Sequence, residues 1–574
     1  MLNFLSRQLI KLLDAVVGKK ALILDPGITL LIGALIWLDL SGPLSLLAEF
    51  SLLKEHGVEK IFHLTNNRLD HLDSRNVIYI CRPKIENMKF IAGQIKNQTR
   101  SSGPAVEYTL FFVPKRTVVC EMILEELGVF GDLTIREFHL DLIPLETDVL
   151  SLENHNAFKE VTLDGDFTSI HSMANAIIKL QAIHGIIPKI CGKGSATQSE
   201  KQYVPLADSK NSLVAFVELD PIILGIQQPQ SGFASSSSTV KPRKIPLSSA
   251  DELYSQLRDM NFSGVSTFLN QSAKRLSEDY EGRHAAKTVA EIKDFISKLS
   301  GLQAEHQSLR LHVNLTEQIT KYTGGIEFNK ILEVQQNFIA GLISQPHLEV
   351  IEELIGKEAS ISSVLRLLSL YSLVTDGLKT KVYDFYRKEL VQAYGHSHTL
   401  SLQNLHAVGL FRPKESTSAP ALVRGAGGYS NIKRSMSLIV DDVDELNPQD
   451  ISYVYSGYAP LSVRLVQLCV TGSASNMTAL KLKPDYQPTW KGAEDALKHV
   501  PGPNVEVVQE PNQALSRASS QPEKVSKIAV CFLGGCTFTE IAALRLLGKR
   551  TGIQFLVLTT SVVSGQGIIE SLLL

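Results

Sequence analysis

The sequence predicts an α/β protein interrupted by a large, mostly helical insertion. Three observations lead there. Short β-rich runs alternate with helical patterns over residues 1–130. Residues 250–395 keep apolar side chains at spacings of three and four. A strand, a tight turn and a helix then return at 527–547, in KIAVCFLGGCTFTEIAALRLL. The bulk numbers agree with a folded chain: of 574 residues, 44% are hydrophobic and 20% charged, which suits large buried cores.

The elements follow in order. Residues 1–20 place Leu5, Leu9, Leu12, Leu13 and Val16 on one helical face, with Arg7, Lys11 and Asp14 inside the pattern. That is an amphipathic helix packed on a core and not a secretory signal. Strands are expected at 20–25, 58–64, 76–82 and 107–113, and helices at 45–56, 84–97 and 117–127. Apolar strands separated by helices point to a mostly parallel sheet covered on both faces, ending near residue 130. The uncharged run at 26–38, PGITLLIGALIWL, is shorter than the ~20 residues a spanning helix needs and reads as buried sequence.

A second α/β block is expected over 131–225, with a helix near 168–184, followed by a flexible Pro/Ser/Gln-rich loop at 226–250. The helical region follows at 251–440. Ser249 with Glu252, and Thr288 with Glu291, each have the spacing of a capping box. Val265, Phe268, Leu269 and Leu276 form one stripe, and Ile292, Phe295 and Leu299 another, around a charged tip at 277–287. This pattern predicts a helical hairpin within 253–320. A further helix is expected over 361–390 and a loop over 411–431. Residues 441–574 return to α/β, with a Pro/Ser-rich linker at 510–524 and a strand at 527–533.

Charge and motifs exclude several functions. Lys plus Arg number 57 against 59 Asp plus Glu, so no overall basic field exists to hold nucleic acid. The six cysteines, at 81, 120, 191, 469, 531 and 536, are scattered and read as reduced, buried thiols. Neither they nor the histidines form a metal cluster, and no cofactor is expected. Gly192-Lys193-Gly194-Ser195 has Ile187 where a P-loop needs its first glycine. The acidic run Asp441, Asp442, Asp444 and Glu445 lacks the glycine of a calcium loop and reads as a solvated turn. Gly534-Gly535 precedes a helix capped by Thr537 and Glu540. One reading makes it a nucleotide or phospho-ligand site of an α/β enzyme. The other makes it a structural turn, since Glu540 would repel a phosphate.

Five strings carry a resemblance: FSLLKEHGVEKIF (50–62), LDLIPLETDVLSLE (140–153), RHAAKTVAEIKDFISKL (283–299), DISYVYSGYAPLSVRLVQ (450–467) and CFLGGCTFTEIAALRLL (531–547). Together they resemble the SM family, the Sec/Munc-type regulators of SNARE assembly, in its vacuolar sorting branch. The strings span most of the chain in family order. The resemblance implies a three-domain arch: domain 1 at 1–130, domain 2 from 131–225 and 441–574, and domain 3 at 251–440. It implies no enzymatic activity, binding of syntaxin-type and other SNAREs, and membership of HOPS/CORVET-type tethering complexes. Docking there would be on a vacuolar protein sorting-associated protein 16-type subunit. The expected location is the cytoplasm, peripheral on late endosome and lysosome or vacuole membranes.

The same resemblance marks departures. The family's Asp-Arg-x-x-Asp motif is missing around 211–226, implying a lost strand and helix in domain 2, and insertions are implied at 30–41 and 471–489. It also places the SNARE-binding surface on the hairpin, whose cations Lys274, Arg275, Arg283 and Lys287 would flank an apolar groove. Tyr429 and Ile432, after a Gly-rich stretch, have two readings: exposed loop residues that anchor the partner subunit, or side chains tucked into domain 3.

Overall fold

The computed structural model describes residues 2–25, 50–66, 74–99, 106–184, 187–194, 213–218, 247, 251–285, 289–414, 428–471, 488–508 and 527–573. The expected insertions at 30–41 and, over 472–487, near 471–489 lie outside the described residues, as do the apolar run at 26–38 and the loop at 226–246. The chain divides into two compact units, 1–153 with 240–250, and 154–239 with 251–574.

The first unit is a five-stranded parallel sheet. Its elements are α1 (Leu2–Asp14), β1 (Lys20–Leu24), α2 (Phe50–Glu55), β2 (Val58–His63), β3 (Asn76–Cys81), α3 (Ile85–Thr99), β4 (Glu107–Phe112), α4 (Val118–Glu126) and β5 (Leu133–Glu137). The strand order is β2-β1-β3-β4-β5. Every residue of β3 is buried, as the central strand of a sheet covered on both faces must be. On one face Leu22, Leu24, Ile78 and Phe111 pack under Leu9 and Leu13 of α1, so the apolar stripe of the first helix does cover a core. On the other, Val77, Tyr79 and Leu110 pack against Met88, Ile91 and Leu124. The sheet does not end near 130 as expected. Leu133–Glu137 pairs in parallel with β4 and closes its edge. A short antiparallel pair, β6 (Ile143–Glu146) and β7 (Val149–Ser151), completes the unit.

The second unit holds both the returning α/β sequence and the helical region. Helix α5 (Thr168–His184) leads to β8 (Lys189–Lys193) and β9 (Leu213–Glu218). The helical series follows: α6 (Glu252–Leu257), α7 (Phe262–Ala285), α8 (Val289–Thr323), α9 (Ile326–Ala340), α10 (Gln345–Gly356), α11 (Ile361–Val374), α12 (Thr380–Tyr394), α13 (His398–Val408) and α14 (Gly428–Ser435). Then come α15 (Leu461–Thr471), β10 (Asn504–Val508), β11 (Lys527–Leu533), α16 (Phe538–Thr551), β12 (Gln554–Thr559) and α17 (Gly565–Leu572). The strands run in the order β10-β8-β9-β11-β12. All pair in parallel except β10, which is antiparallel to β8. Residues 213–218 therefore form a central strand, where the missing motif had implied a lost one.

Two local expectations are corrected, and the failed P-loop match gains a physical reason. The helix expected over 361–390 is two helices, α11 and α12, separated by Asp376 at φ 57° and Gly377 at φ 104°. A Cβ on Gly377 would lie 2.7 Å from the Lys414 Cα, so glycine alone fits the crossing. The cap of α6 is Asp251, not Ser249: its carboxylate accepts from the Leu253 and Tyr254 amides. Lys193 is no phosphate ligand; it is buried, and its Nζ donates to the carbonyls of Leu497 and Gly502 and to Asn504 Oδ1.

Candidate functional site

The hairpin expected from the sequence is formed by α7 and α8. Its apolar stripe is not an open groove, however. Val265, Leu269 and Leu276 of α7 are buried against Leu309 of α8 and Leu253 of α6, with Phe268 and Leu302 partly buried beside them. Two antiparallel helices expose less apolar surface this way, at about 1.5–3 kcal/mol per fully buried large side chain. The stripe is the seam of the hairpin itself. The side chains of Ile292, Phe295 and Leu299 lie outside the described residues.

Two of the four cations are described. Lys274 and Arg275 are exposed on α7. Arg275 pairs with Glu305 across the hairpin. Arg283 falls within α7 with its side chain outside the described residues, and Lys287 lies wholly outside them. The structure brings Lys274 and Arg275 onto one helix and does not place the other two side chains.

The base of the hairpin is tied down by polar contacts that the sequence analysis missed. The Asp251 carboxylate, besides capping α6, accepts from Ser308 Oγ at 2.7 Å and from His312 Nε2 at 2.8 Å. Burial pushes the Asp251 carboxyl up, but the hydrogen bonds from His312, Ser308 and the Tyr254 amide outweigh it and hold the group below its ordinary value. Just beyond the other end of α6, Asp259 Oδ1 accepts from Arg545 Nη1 of α16 at 2.9 Å, and its carbonyl accepts from Tyr453 Oη at 2.8 Å. Glu445 of the acidic run accepts from Ser263 Oγ at 2.9 Å, and Asp444 accepts from the Leu446 and Asn447 amides. That run is a capped turn, as expected. The signal available in sequence was faint: Ser308 and His312 are polar residues one helical turn apart, beside the buried Leu309.

Tyr429 and Ile432 are not exposed anchors. Residues 428–435 form helix α14, and the two side chains are only 4% and 7% exposed. Tyr429 Oη donates to the Ile339 carbonyl at 2.7 Å, and its amide donates to Asp376 Oδ1 at 3.1 Å. A Cβ on Gly428, at φ 72°, would collide with the Asp376 carboxylate, so glycine lets α14 start against this turn. Both residues hold α14 inside the helical region, and their assignment as partner-subunit anchors is withdrawn.

The Gly534-Gly535 turn is likewise a packing feature. Thr537 and Glu540 form the capping box, with the Thr537 amide donating to Glu540 Oε2 at 2.7 Å. Glu540 is fully buried, and Ser462 Oγ also donates to it. The helix N-terminus that would bind a phosphate is thus filled by a carboxylate of the chain. A Cβ on Gly535 would lie 2.8 Å from Val563, so the turn leaves no space beside it. The nucleotide reading of this turn loses its anion site. Among the described residues, no group of His, Cys, Asp and Glu could hold a metal ion.

Comparison with known proteins identifies this combination of sheets and helices. A model of the Sec1 family matches residues 38–226 and 223–571. Vacuolar protein sorting-associated protein 33A of Rattus norvegicus is 37% identical over 611 aligned residues, covering 99% of this chain and 96% of the relative. The vacuolar protein-sorting-associated protein 33 homolog of Arabidopsis thaliana is 33% identical, covering 99% and 95%. Two solved structures share the fold at 14% identity. One is the Unc18–syntaxin 1 complex from Monosiga brevicollis, with a TM-score of 0.55 and coverage of 99% of this chain and 98% of that one. The other is the SM protein Vps45 in complex with the Qa SNARE Tlg2 (1–310), with a TM-score of 0.56 and coverage of 99% and 96%.

Proposed function

The chain belongs to the Sec1 family, and from that premise we propose that it is an SM-type regulator of SNARE-mediated fusion with endosomes and lysosomes or vacuoles. The observation that carries this reading is the 37% identity to a 33A-type vacuolar sorting protein across 99% of the chain. The reading extends to membership of a HOPS/CORVET-type tethering complex and docking on a 16-type vacuolar sorting subunit. Two proteins of the same fold have structures in complex with syntaxin 1 and the Qa SNARE Tlg2, which supports a syntaxin-type SNARE as ligand here. The chain acts without catalysis in this account. Among the described residues no helix is long and apolar enough to cross a membrane, so membrane recruitment is assigned to partners.

The α7–α8 hairpin is the proposed SNARE-binding element, with Lys274, Arg275, Arg283 and Lys287 as its cationic rim. A SNARE motif is an amphipathic helix, often acidic outside its core. Exposed ion pairs contribute only about 0.2–1 kcal/mol each and act mainly on association rate. Reversing one cation is therefore expected to change little. Reversing Arg275, Arg283 and Lys287 together is expected to weaken SNARE binding by at least roughly tenfold, about 1.4 kcal/mol. Titration of a labelled cytosolic syntaxin-type SNARE fragment at low salt checks this. Wild-type affinity in the triple reversal would remove the charges from the binding surface.

A further inference from the structure

We infer that Asp251 is the positioning residue of the SNARE-binding hairpin, acting through Ser308 and His312 of α8. The inference rests on the hairpin reading proposed above. One carboxylate performs two tasks here. It caps α6 through the Leu253 and Tyr254 amides, at 3.0 and 3.3 Å. It also accepts both donors from α8: Ser308 Oγ at 2.8 and 2.7 Å to its two oxygens, and His312 Nε2 at 2.8 Å.

Ser308 and His312 stand one turn apart and therefore project from the same side of α8. Two directional bonds at two heights fix the rotation of that helix about its axis as well as its distance from α6. The apolar seam cannot do this alone. Contacts among Leu253, Leu269 and Leu309 resist separation, but burial is non-directional and tolerates a twist. The node is also shielded: His312 is 4% exposed, and its ring stacks on Tyr254, with centroids 6.3 Å apart and planes at 11°.

Helix α6 is in turn fixed at its far end. Asp259 accepts from Arg545 of α16, and Tyr453 donates to the Asp259 carbonyl. A two-turn strut thus runs from the α/β layer to the hairpin, with Asp251 as its N-cap. Both Ser308 and His312 direct a hydrogen bond to the carboxylate, so the trio holds no activated serine and is a positional device.

The experiment uses the full chain and a labelled cytosolic fragment of a syntaxin-type Qa-SNARE. Asp251→Ala is expected to weaken SNARE binding roughly tenfold and to speed hydrogen exchange over residues 302–323. Asp251→Asn keeps the oxygen that caps α6 and accepts from Ser308, and its amide nitrogen donates to His312 Nε2 in the other ring tautomer, so it is expected to restore affinity to within about threefold of wild type. Should Asp251→Ala fail to fold, the double variant Ser308→Ala with His312→Phe leaves the cap intact, keeps a ring against Tyr254 and removes both donors, so it decides the question, with the same roughly tenfold loss expected. Faster exchange with unchanged SNARE affinity would overturn the inference, because Asp251 would then serve stability alone. Unchanged exchange would overturn it as well. The Arg275, Arg283 and Lys287 reversal is run beside these variants. If it too binds at wild-type strength, the hairpin reading fails and the inference falls with it; if it weakens binding while Asp251→Ala does not, only the inference fails.

Discussion

Asp450→Ala is expected to destabilise the second unit by about 3–5 kcal/mol, measured by denaturant unfolding. Asp450 is the main counter-charge of Arg464, whose side chain is 1% exposed. The pair is bidentate, Nη1 to Oδ2 at 2.8 Å and Nη2 to Oδ1 at 2.7 Å. Arg464 also donates to Gln467 Oε1 at 2.8 Å and to the Ser437 carbonyl at 3.2 Å. It therefore joins the end of the helical region to α15. Removing the carboxylate leaves a buried guanidinium with neutral partners only, which is where the large cost arises. The double variant Asp450→Ala with Arg464→Met removes the stranded charge and is expected to be less damaged than Asp450→Ala alone. The pH dependence follows. Burial raises the Asp450 carboxyl, but the Arg464 hydrogen bonds and charge outweigh it and leave the group below its ordinary value. A depressed carboxyl contributes stability that is complete above the unfolded value of about 3.9 and is lost as pH falls through the folded value. Acid unfolding of the wild type should show this contribution, and Asp450→Ala should lack it.

Tyr429→Asp is expected to be as severe, at about 4 kcal/mol or more, because it combines loss of a buried ring with burial of a carboxylate. The ring is 4% exposed and its hydroxyl meets the Ile339 carbonyl. The new carboxylate would also face Asp376, which already receives the residue 429 amide. Tyr429→Phe keeps the ring and should cost only about 1 kcal/mol for the hydrogen bond. Thermal melts of the two variants separate these effects. An unchanged melt for Tyr429→Asp would mean that the ring is not part of the core. Loss of partner-subunit binding in that variant would report damaged folding and not a lost contact.

Much of this architecture could be read from residues alone, and the failures share a cause. The parallel strands were legible because buried strands such as NVIYIC are continuous apolar runs bounded by polar ones. The capping box at Thr537 and Glu540 was legible because both partners lie within one turn. Tyr429 stayed open between an exposed anchor and a buried side chain because its local context, RGAGGYSNIKR, is polar and Gly-rich, while the acceptor that buries it is Ile339, 90 residues away. The break at Asp376-Gly377 was present in the sequence but masked by continuous apolar spacing on either side. The hairpin was found correctly, but its stripe was given to a partner although the chain's own α6 and α8 cover it. Asp251 was missed for the reason that applies to Tyr429: Ser308 and His312 are 57 and 61 residues distant.

The central claim is that this chain promotes SNARE assembly through the hairpin. The most direct measurement is the rate at which a cognate syntaxin-type SNARE and its partner SNAREs assemble, followed by energy transfer between labelled helices as the chain is titrated in. Assembly is expected to accelerate to saturation with wild-type chain and to lose that acceleration with the Arg275, Arg283 and Lys287 reversal. Assembly that proceeds at its uncatalysed rate at every concentration of folded wild-type chain, or that is accelerated equally by the reversal, would contradict it.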